Sequence, residues 1–153
     1  VRPYPGFFWF GQDIARHCPA TPDGRRAGQR PSYGCGPGVM LENPGVTAIL
    51  NSAAHIAHAS CACGNPLTLS FNRSELSGNK GSKLLRQVIE AYFQKGGFHL
   101  QVNIVDAEDL KKAKAAPERY QDLTVRISGF SARFVNLNEK WQDAIIERTG
   151  RGM

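Results

Sequence analysis

The sequence predicts a mixed α/β fold, and three observations lead to that prediction. The chain has 153 residues, of which 41% are hydrophobic and 21% charged, and this composition suits one folded core rather than a disordered chain. Segments with the 3.6-residue period of a helix alternate with segments that have the two-residue period of a strand. Finally, a strand–helix–strand spacing between residues 98 and 127 fits a crossover unit.

The first 47 residues differ in composition from the rest of the chain. They contain Gly or Pro at short intervals, which interrupts the backbone too often for long helices or strands. They also contain four consecutive aromatic residues at positions 7–10, which a flexible linker would lack. We therefore expect residues 1–47 to form an ordered, meandering segment of the same fold that packs on a domain formed by residues 48–153.

Between residues 47 and 105 the periodicity predicts two helices and two strands. Residues 47–58 suit a helix with small side chains on one side, and residues 67–71 alternate like a short strand. Ser82 is placed to cap a helix that runs to about Gln94 and ends before two glycines. The segment 98–105 alternates apolar and polar residues and is the clearest strand in the sequence.

In the last third of the chain, the sequence pattern predicts two further helices and two short strand-like segments. Residues 106–116 form a short helix that Pro117 terminates. Residues 123–127 and 131–137 are expected to be a strand and a strand-like return, separated by a break at Ser128-Gly129. Asn138 is expected to cap a final helix over residues 139–148.

Charge and hydropathy exclude several classes of protein. The net charge is +6, but the basic residues are dispersed along the chain and are not interleaved with aromatic residues. This pattern favours a solvated surface, or a surface that docks on an acidic partner, over nucleic-acid binding. No stretch reaches the ~18 apolar residues of a membrane span. The first residues do not resemble a signal peptide, which favours a cytoplasmic location without membrane attachment.

The cysteines and histidines do not form a recognised metal or catalytic motif. The four cysteines, Cys18, Cys35, Cys61 and Cys63, are expected to be reduced thiols. The alternative is a zinc site that they would form with His17, His55 and His58. The spacing lacks a paired C-x-x-C knuckle, so we favour cysteines that only pack in the fold. No Walker loop, nucleophile elbow or zinc-protease motif is present. His99, in the 98–105 strand, is interpreted as a hydrogen-bonded structural residue rather than a general base.

One segment stands out because a glycine separates two short, mostly apolar arms. This is R-I-S-G-F-S-A-R-F at residues 126–134, with the glycine at Gly129. Judged by spacing alone, the segment is a hairpin turn, since glycine allows a positive φ.

The same segment resembles the C-terminal radical loop of glycyl radical enzymes, the family of pyruvate formate-lyase. Four further segments resemble family motifs in the family's order: T-P-D-G-R-R-A-G at 21–28, G-G-F-H-L-Q-V-N at 96–103, P-E-R-Y-Q-D-L at 117–123 and the closing helix from Trp141 to Thr149. The resemblance extends from about residue 19 to residue 149. It implies that the chain is the C-terminal part of the family's α/β barrel, with the radical loop between two short strands.

The resemblance also implies a radical chemistry. Gly129 would be the catalytic residue that stores an unpaired electron on its α-carbon, and Arg126, Ser128 and Phe130 would shape the loop. A radical S-adenosylmethionine activating enzyme would install this protein-based radical, and no bound cofactor or metal is expected. The radical would then oxidise a cysteine to a thiyl radical for lyase, acyltransferase, dehydratase or decarboxylase chemistry, in an oxygen-sensitive, anaerobic enzyme.

The sequence departs from the family pattern in two ways. None of its cysteines lies in a G-C-V-E-like context, so the thiyl cysteine is expected on the remainder of the enzyme, outside this chain. Residues 30–45 also differ from the run that many relatives have there. Besides a C-terminal portion of an enzyme, two alternatives stay open: a stand-alone radical carrier of the spare-part type, and a non-catalytic docking module derived from the family.

Overall fold

The computed structural model describes residues 17–38, 41, 44–61, 65–127 and 129–150. In chain order its helices and strands are α1 (Val46–Ala54), β1 (Pro66–Phe71), α2 (Gly78–Gln94), β2 (His99–Ile104), α3 (Ala107–Ala115), β3 (Thr124–Ile127), β4 (Phe130–Arg133) and α4 (Glu139–Gly150). The alternation of helices and strands confirms the predicted α/β class. The four aromatic residues at positions 7–10 lie outside the described residues. The division at residue 47 stays a prediction.

The first sheet is a parallel pair, and β1 lies fully inside the protein. β1 pairs with β2 in a register that places Leu67 opposite Leu100 and Leu69 opposite Val102. Parallel neighbours need a crossover connection, and α2 provides it. All six residues of β1 are buried, as expected for a strand of a parallel sheet that is covered on both faces.

The second sheet is an antiparallel hairpin, and here the expected crossover between residues 98 and 127 is wrong. The strand–helix–strand order is present, but among the described residues β3 pairs with β4 and β2 pairs with β1. Two residues between β3 and β4 are enough for an antiparallel turn, so one edge of β3 pairs with its nearest neighbour in the chain. Towards β2, the backbone groups of Arg126 bond the side chain of Asn103 instead of the β2 backbone.

Two apolar clusters form the core of the described structure. The first cluster is built by α1, β1 and α2, and its buried members are Ile49, Leu50, Ala53, Leu67, Leu69, Phe71 and Tyr92. The second cluster is built by the hairpin, α3, α4 and the segments beside them, and its buried members are Val105, Leu110, Ala113, Val125, Ile127, Phe134 and Ile145. The loop between β3 and β4 is anchored on the second cluster.

The segment before α1 packs on both parts of the fold. The ring of Tyr33 meets the indole of Trp141 on α4 edge to face, with 6.1 Å between ring centres. The Cys35 N–H donates to the carbonyl oxygen of Pro66 at 3.0 Å, at the start of β1. Residues 30–35 therefore connect the final helix with the first strand.

Several element boundaries differ from the expected ones. α2 begins at Gly78 after Ser77, and Ser82 lies inside the helix, where its hydroxyl donates to the Gly78 carbonyl at 3.3 Å. β4 ends at Arg133, because a turn of 3-10 helix follows at Phe134–Asn136. The cap at Asn138 is confirmed, since its Oδ1 accepts from the Trp141 N–H at 3.0 Å. Within the described ranges, no helix combines the length and apolarity that crossing a bilayer requires.

Candidate functional site

The centre of the candidate site is the turn between β3 and β4. Gly129 has φ +102°, a conformation that side-chain-bearing residues rarely adopt, and it is exposed. Ile127 and Phe130, the cross-strand pair on either side of the turn, pack in or against the second apolar cluster. Ser128 lies outside the described residues. The hairpin turn that spacing predicts is therefore present, with a glycine where the backbone requires one.

Asn103 on β2 holds the strand that leads into this turn. Its side-chain Oδ1 accepts from the Arg126 N–H at 2.7 Å, and its Nδ2 donates to the Arg126 carbonyl at 3.0 Å. The amide group thus pairs with both backbone groups of one β3 residue, as a neighbouring strand would. Because Asn103 is only 4% exposed, water does not compete for these bonds.

Gln101 on β2 contacts the turn itself. Its Oε1 accepts from the Gly129 N–H at 3.3 Å, and its Nε2 lies 3.2 Å from Nε2 of His99. His99, Gln101 and Asn103 share one face of β2, since alternate residues of a strand point to the same side. The same face of β1 is also polar, since Thr68 pairs with Gln101 and Ser70 pairs with Asn103 in the register of the sheet.

The other predicted loop residues have structural contacts. Arg126 is half-buried, and its Nη1 donates to the hydroxyl of Ser131, its cross-strand partner, at 3.3 Å. Phe130 is half-buried against the second cluster. Both residues thus brace the hairpin that presents Gly129. Their roles in shaping a radical loop, like that of Ser128, stay predictions.

The T-P-D-G-R segment forms a tight turn near the start of the described structure. The Gly24 N–H donates to the Thr21 carbonyl at 3.1 Å, which closes the turn. Arg25 is 9% exposed and donates to the carbonyl oxygens of Pro19 and Gln29. Arg25 therefore stabilises the backbone of its own segment. Its hydrogen bonds within the described residues do not include Gly129.

Among the described residues, the thiols and imidazoles outside the loop form no cluster that could bind a metal ion. Cys18, Cys35 and Cys61 are free cysteines, and Cys63 lies outside the described residues. Burial and, to a lesser degree, the nearby Cys61 raise the pKa of the Cys35 thiol to about 11, so the thiol is protonated at neutral pH. His58 is held between the Ala53 carbonyl and Asn65 at 2.9 and 3.2 Å. Over the described residues no three His, Cys, Asp or Glu side chains converge as a metal ion would need.

Sequence reasoning did not single out Gln101 and Asn103 as site residues. It interpreted His99 as a hydrogen-bonded structural residue, and the structure gives that histidine a side-chain partner in Gln101. Two signals were available: three polar side chains at alternate positions of an otherwise apolar strand, and their place in the segment 96–103 that resembles a family motif. Such a pattern indicates a polar face, but only the folded chain shows what that face contacts.

Comparisons with known proteins agree on one family. A family model described as glycine radical matches residues 32–135, which is more than half of the chain. The indoleacetate decarboxylase of Tractidigestivibacter scatoligenes is 36% identical over 157 residues, which cover 95% of this chain and 18% of that protein. The trans-4-hydroxy-L-proline dehydratase of Clostridioides difficile is 36% identical over 130 residues, covering 85% of this chain and 16% of that protein.

A solved structure shows the same fold. The B12-independent glycerol dehydratase from Clostridium butyricum, in its glycerol-bound form, superposes with a TM-score of 0.84 and 37% sequence identity. The match covers 91% of this chain and 18% of that one. The chain therefore spans less than a fifth of the length of these relatives.

Proposed function

Because the chain belongs to the glycyl radical family and forms the glycine radical domain of such enzymes, we propose that Gly129 is the residue that carries the radical. The observation that supports this most directly is the position of Gly129: an exposed glycine with positive φ at the tip of a braced hairpin. A radical centre of this kind needs a residue without a side chain, so that the α-carbon can become planar without steric strain. The adjoining amide nitrogen and carbonyl then delocalise the unpaired electron.

The exposure of Gly129 suits the step that installs the radical. An S-adenosylmethionine-dependent activating enzyme would remove one hydrogen atom from the Gly129 α-carbon. Such an enzyme has to reach that carbon, and the turn presents it at the surface of the described fold. Since an exposed carbon radical reacts with oxygen, activation would have to occur under anaerobic conditions.

The stored radical would be used on a cysteine outside this chain. Gly129 would take the hydrogen atom of that cysteine's S–H group, which restores the glycine and leaves a thiyl radical to attack the substrate. The domain's contribution is the placement of one α-carbon and the exclusion of water and oxygen once the enzyme is assembled. The remainder of the enzyme, which would carry the cysteine and the substrate pocket, is the proposed partner.

The chemistry of the assembled enzyme would be a lyase-type bond cleavage. The relatives named above are a decarboxylase and two dehydratases, and each of the three contains a region that matches this chain. We propose the same class for this protein.

Electron paramagnetic resonance tests the proposal. We expect the chain, incubated anaerobically with a matched activating enzyme, S-adenosylmethionine and reductant, to give a carbon-centred radical signal. Replacing the glycines by α-deuterated glycine should narrow the signal, because the remaining α-hydrogen couples to the unpaired electron.

Two variants localise the radical. Gly129→Ala should give no signal, while Gly24→Ala, which alters another positive-φ glycine outside the hairpin, should retain it. An equal signal in Gly129→Ala, or none from the wild type with a competent activating enzyme, would remove Gly129 from this role.

A further inference from the structure

We propose that Gln101 is a positioning residue that latches the tip of the radical loop through the Gly129 N–H, and that His99 orients its amide. This inference rests on the proposed function of Gly129. The three groups form a chain of contacts, here called the amide relay: His99 Nε2, the side-chain amide of Gln101, and the backbone N–H of Gly129.

The direction of the relay follows from the donors and acceptors present. A backbone N–H can only donate, so the atom of Gln101 that faces Gly129 has to be the carbonyl Oε1. The amide nitrogen of Gln101 then points at His99, 3.2 Å away, and it also can only donate. His99 Nε2 must therefore accept, which requires a neutral imidazole with its proton on Nδ1.

Because Gln101 is buried, a reversed orientation of its side-chain amide would be unfavourable. The residue is 5% exposed, so an amide turned the wrong way would bring its nitrogen towards the Gly129 N–H with little water to separate the two donors. His99 is half-buried and beside it in the same row of side chains. The imidazole therefore supports, as a second contact, the orientation in which Gln101 accepts from Gly129.

The two amides on β2 hold the hairpin at different strengths. The Asn103 side chain forms two hydrogen bonds, of 2.7 and 3.0 Å, with the backbone of Arg126, just before the turn. Gln101 holds the tip with a single longer bond of 3.3 Å. Breaking that one bond would free the tip from β2, while β3 stays fixed at Arg126 and Phe130 stays packed against the second cluster.

This difference gives the loop two states that share one anchored strand. In the closed state of the latch, the Gly129 N–H donates to Gln101 Oε1, and the Gly129 α-carbon has a defined position against the polar face of β2. With the latch open, the tip can leave that face, which would give an activating enzyme wider access to the α-carbon than the exposed turn offers with the latch closed. The relay should therefore slow the installation of the radical and prolong its life once it is formed.

The test combines amide hydrogen exchange, measured by NMR on the full chain before activation, with the radical assay. Gln101→Met keeps the length of the side chain and removes the acceptor. We expect it to speed exchange of the Gly129 N–H about fivefold, the weight of one hydrogen bond, while the Arg126 N–H is unchanged. After activation, the radical signal should grow faster and also decay faster than in the wild type.

Three further variants separate the latch from a general loss of structure. Gln101→Glu retains an acceptor and should keep Gly129 exchange close to wild type. His99→Phe removes the orienting group and should give a smaller acceleration than Gln101→Met. Gln121→Met makes the same change at an exposed turn and should alter neither exchange nor the radical.

The outcomes are distinguishable. Unchanged Gly129 exchange in Gln101→Met overturns the latch, as does equal acceleration at Gly129 and Arg126 with a lowered melting temperature, since that pattern means a merely structural role. The expected exchange pattern without a radical in the wild type upholds the hydrogen bond but refutes the radical role of Gly129. The expected exchange pattern with unaltered radical growth and decay overturns the latch as a control on radical chemistry.

Discussion

Arg148 on α4 is buried, and among the described residues two of its guanidinium nitrogens lack the acceptors that a buried cation normally has. It is 7% exposed, and its Nε and Nη2 find no hydrogen-bond acceptor among the described residues. The Tyr33 ring lies under the guanidinium at 5.5 Å, and Arg30 contacts the same ring at 5.7 Å. Burial, opposed by Tyr33 and assisted by the charge of Arg30, lowers the pKa of Arg148 to about 10. Two cations thus share one aromatic ring inside the fold.

We expect Arg148→Met to stabilise the isolated chain. The substitution keeps much of the side-chain volume and removes a buried charge that the Tyr33 ring compensates only in part and whose Nε and Nη2 have no acceptor among the described residues. The free energy of unfolding at pH 7 should therefore rise by about 1 kcal/mol or more. Urea unfolding measures the change. Arg26→Met, at an exposed position, is the control and should leave stability within about 0.5 kcal/mol of the wild type.

The pH dependence gives this prediction a second test. The pKa of Arg148 is lower in the folded chain than in the unfolded one, so above pH 10 the unfolded state binds more protons and the wild type gains stability with rising pH. The advantage of Arg148→Met should therefore be full at pH 7 and shrink above pH 10. A variant less stable than wild type at pH 7 would show that the contact with Tyr33 outweighs the cost of burial.

At the scale of elements, Gly34 determines how closely the N-terminal segment approaches β1. Its φ is +51°, and a Cβ at this position would lie directly against the carbonyl oxygen of Pro66. That oxygen accepts the hydrogen bond from the Cys35 N–H at 3.0 Å. The segment can therefore pair with the start of β1 only if residue 34 has no side chain.

Gly34→Ala should consequently destabilise the chain more than a positive φ alone would. Gly24→Ala is the matched control, since Gly24 has φ +99° and a Cβ added there would meet no atom within 4 Å. We expect the control to cost about 1–2 kcal/mol from backbone strain, and Gly34→Ala to cost about 2 kcal/mol more because of the clash. Thermal or urea unfolding of both variants checks this, and equal losses would disprove the close approach.

The elements themselves are predictable where their signals are local. Asn138 is identifiable as a cap from its side chain and its place before a periodic segment, and it caps α4. The alternation at 98–105 predicts a strand, and His99–Ile104 is one. The partner of that strand is not predictable, because pairing depends on which edges meet after the chain folds back. The preceding β1, joined to it by α2, is its neighbour.

At the scale of the whole molecule, polar contacts join the parts of the described structure that contain the two apolar clusters. Asn103 joins β2 to the hairpin by its two bonds with Arg126, and Arg30 pairs with Glu147 at 3.5 Å. Leu69 and Leu110 are fully buried in the first and second clusters, respectively. Such an arrangement permits one part to open while the other remains folded.

Leu110→Ala should show this separation. Truncating a fully buried leucine costs about 2–5 kcal/mol, and we expect amide exchange to accelerate in α3, α4 and the hairpin while β1 and β2 keep their protection. Leu69→Ala should give the opposite pattern. Native-state hydrogen exchange at equilibrium measures both. Uniform acceleration across the chain in either variant would mean that the clusters unfold as one cooperative unit.

The sequence by itself determined the class of fold, the order of the elements, the glycine turn at residue 129 and the family resemblance. These depend on side chains close to one another in the chain, where periodicity, capping and turn chemistry act. The tertiary structure decided which strands pair, that Gln101 and Asn103 meet a loop 23 to 28 residues further on, and that Arg148 is buried. Those features arise from contacts between distant segments. Their geometry exists only after the chain has closed the loops between them, because no local preference encodes it.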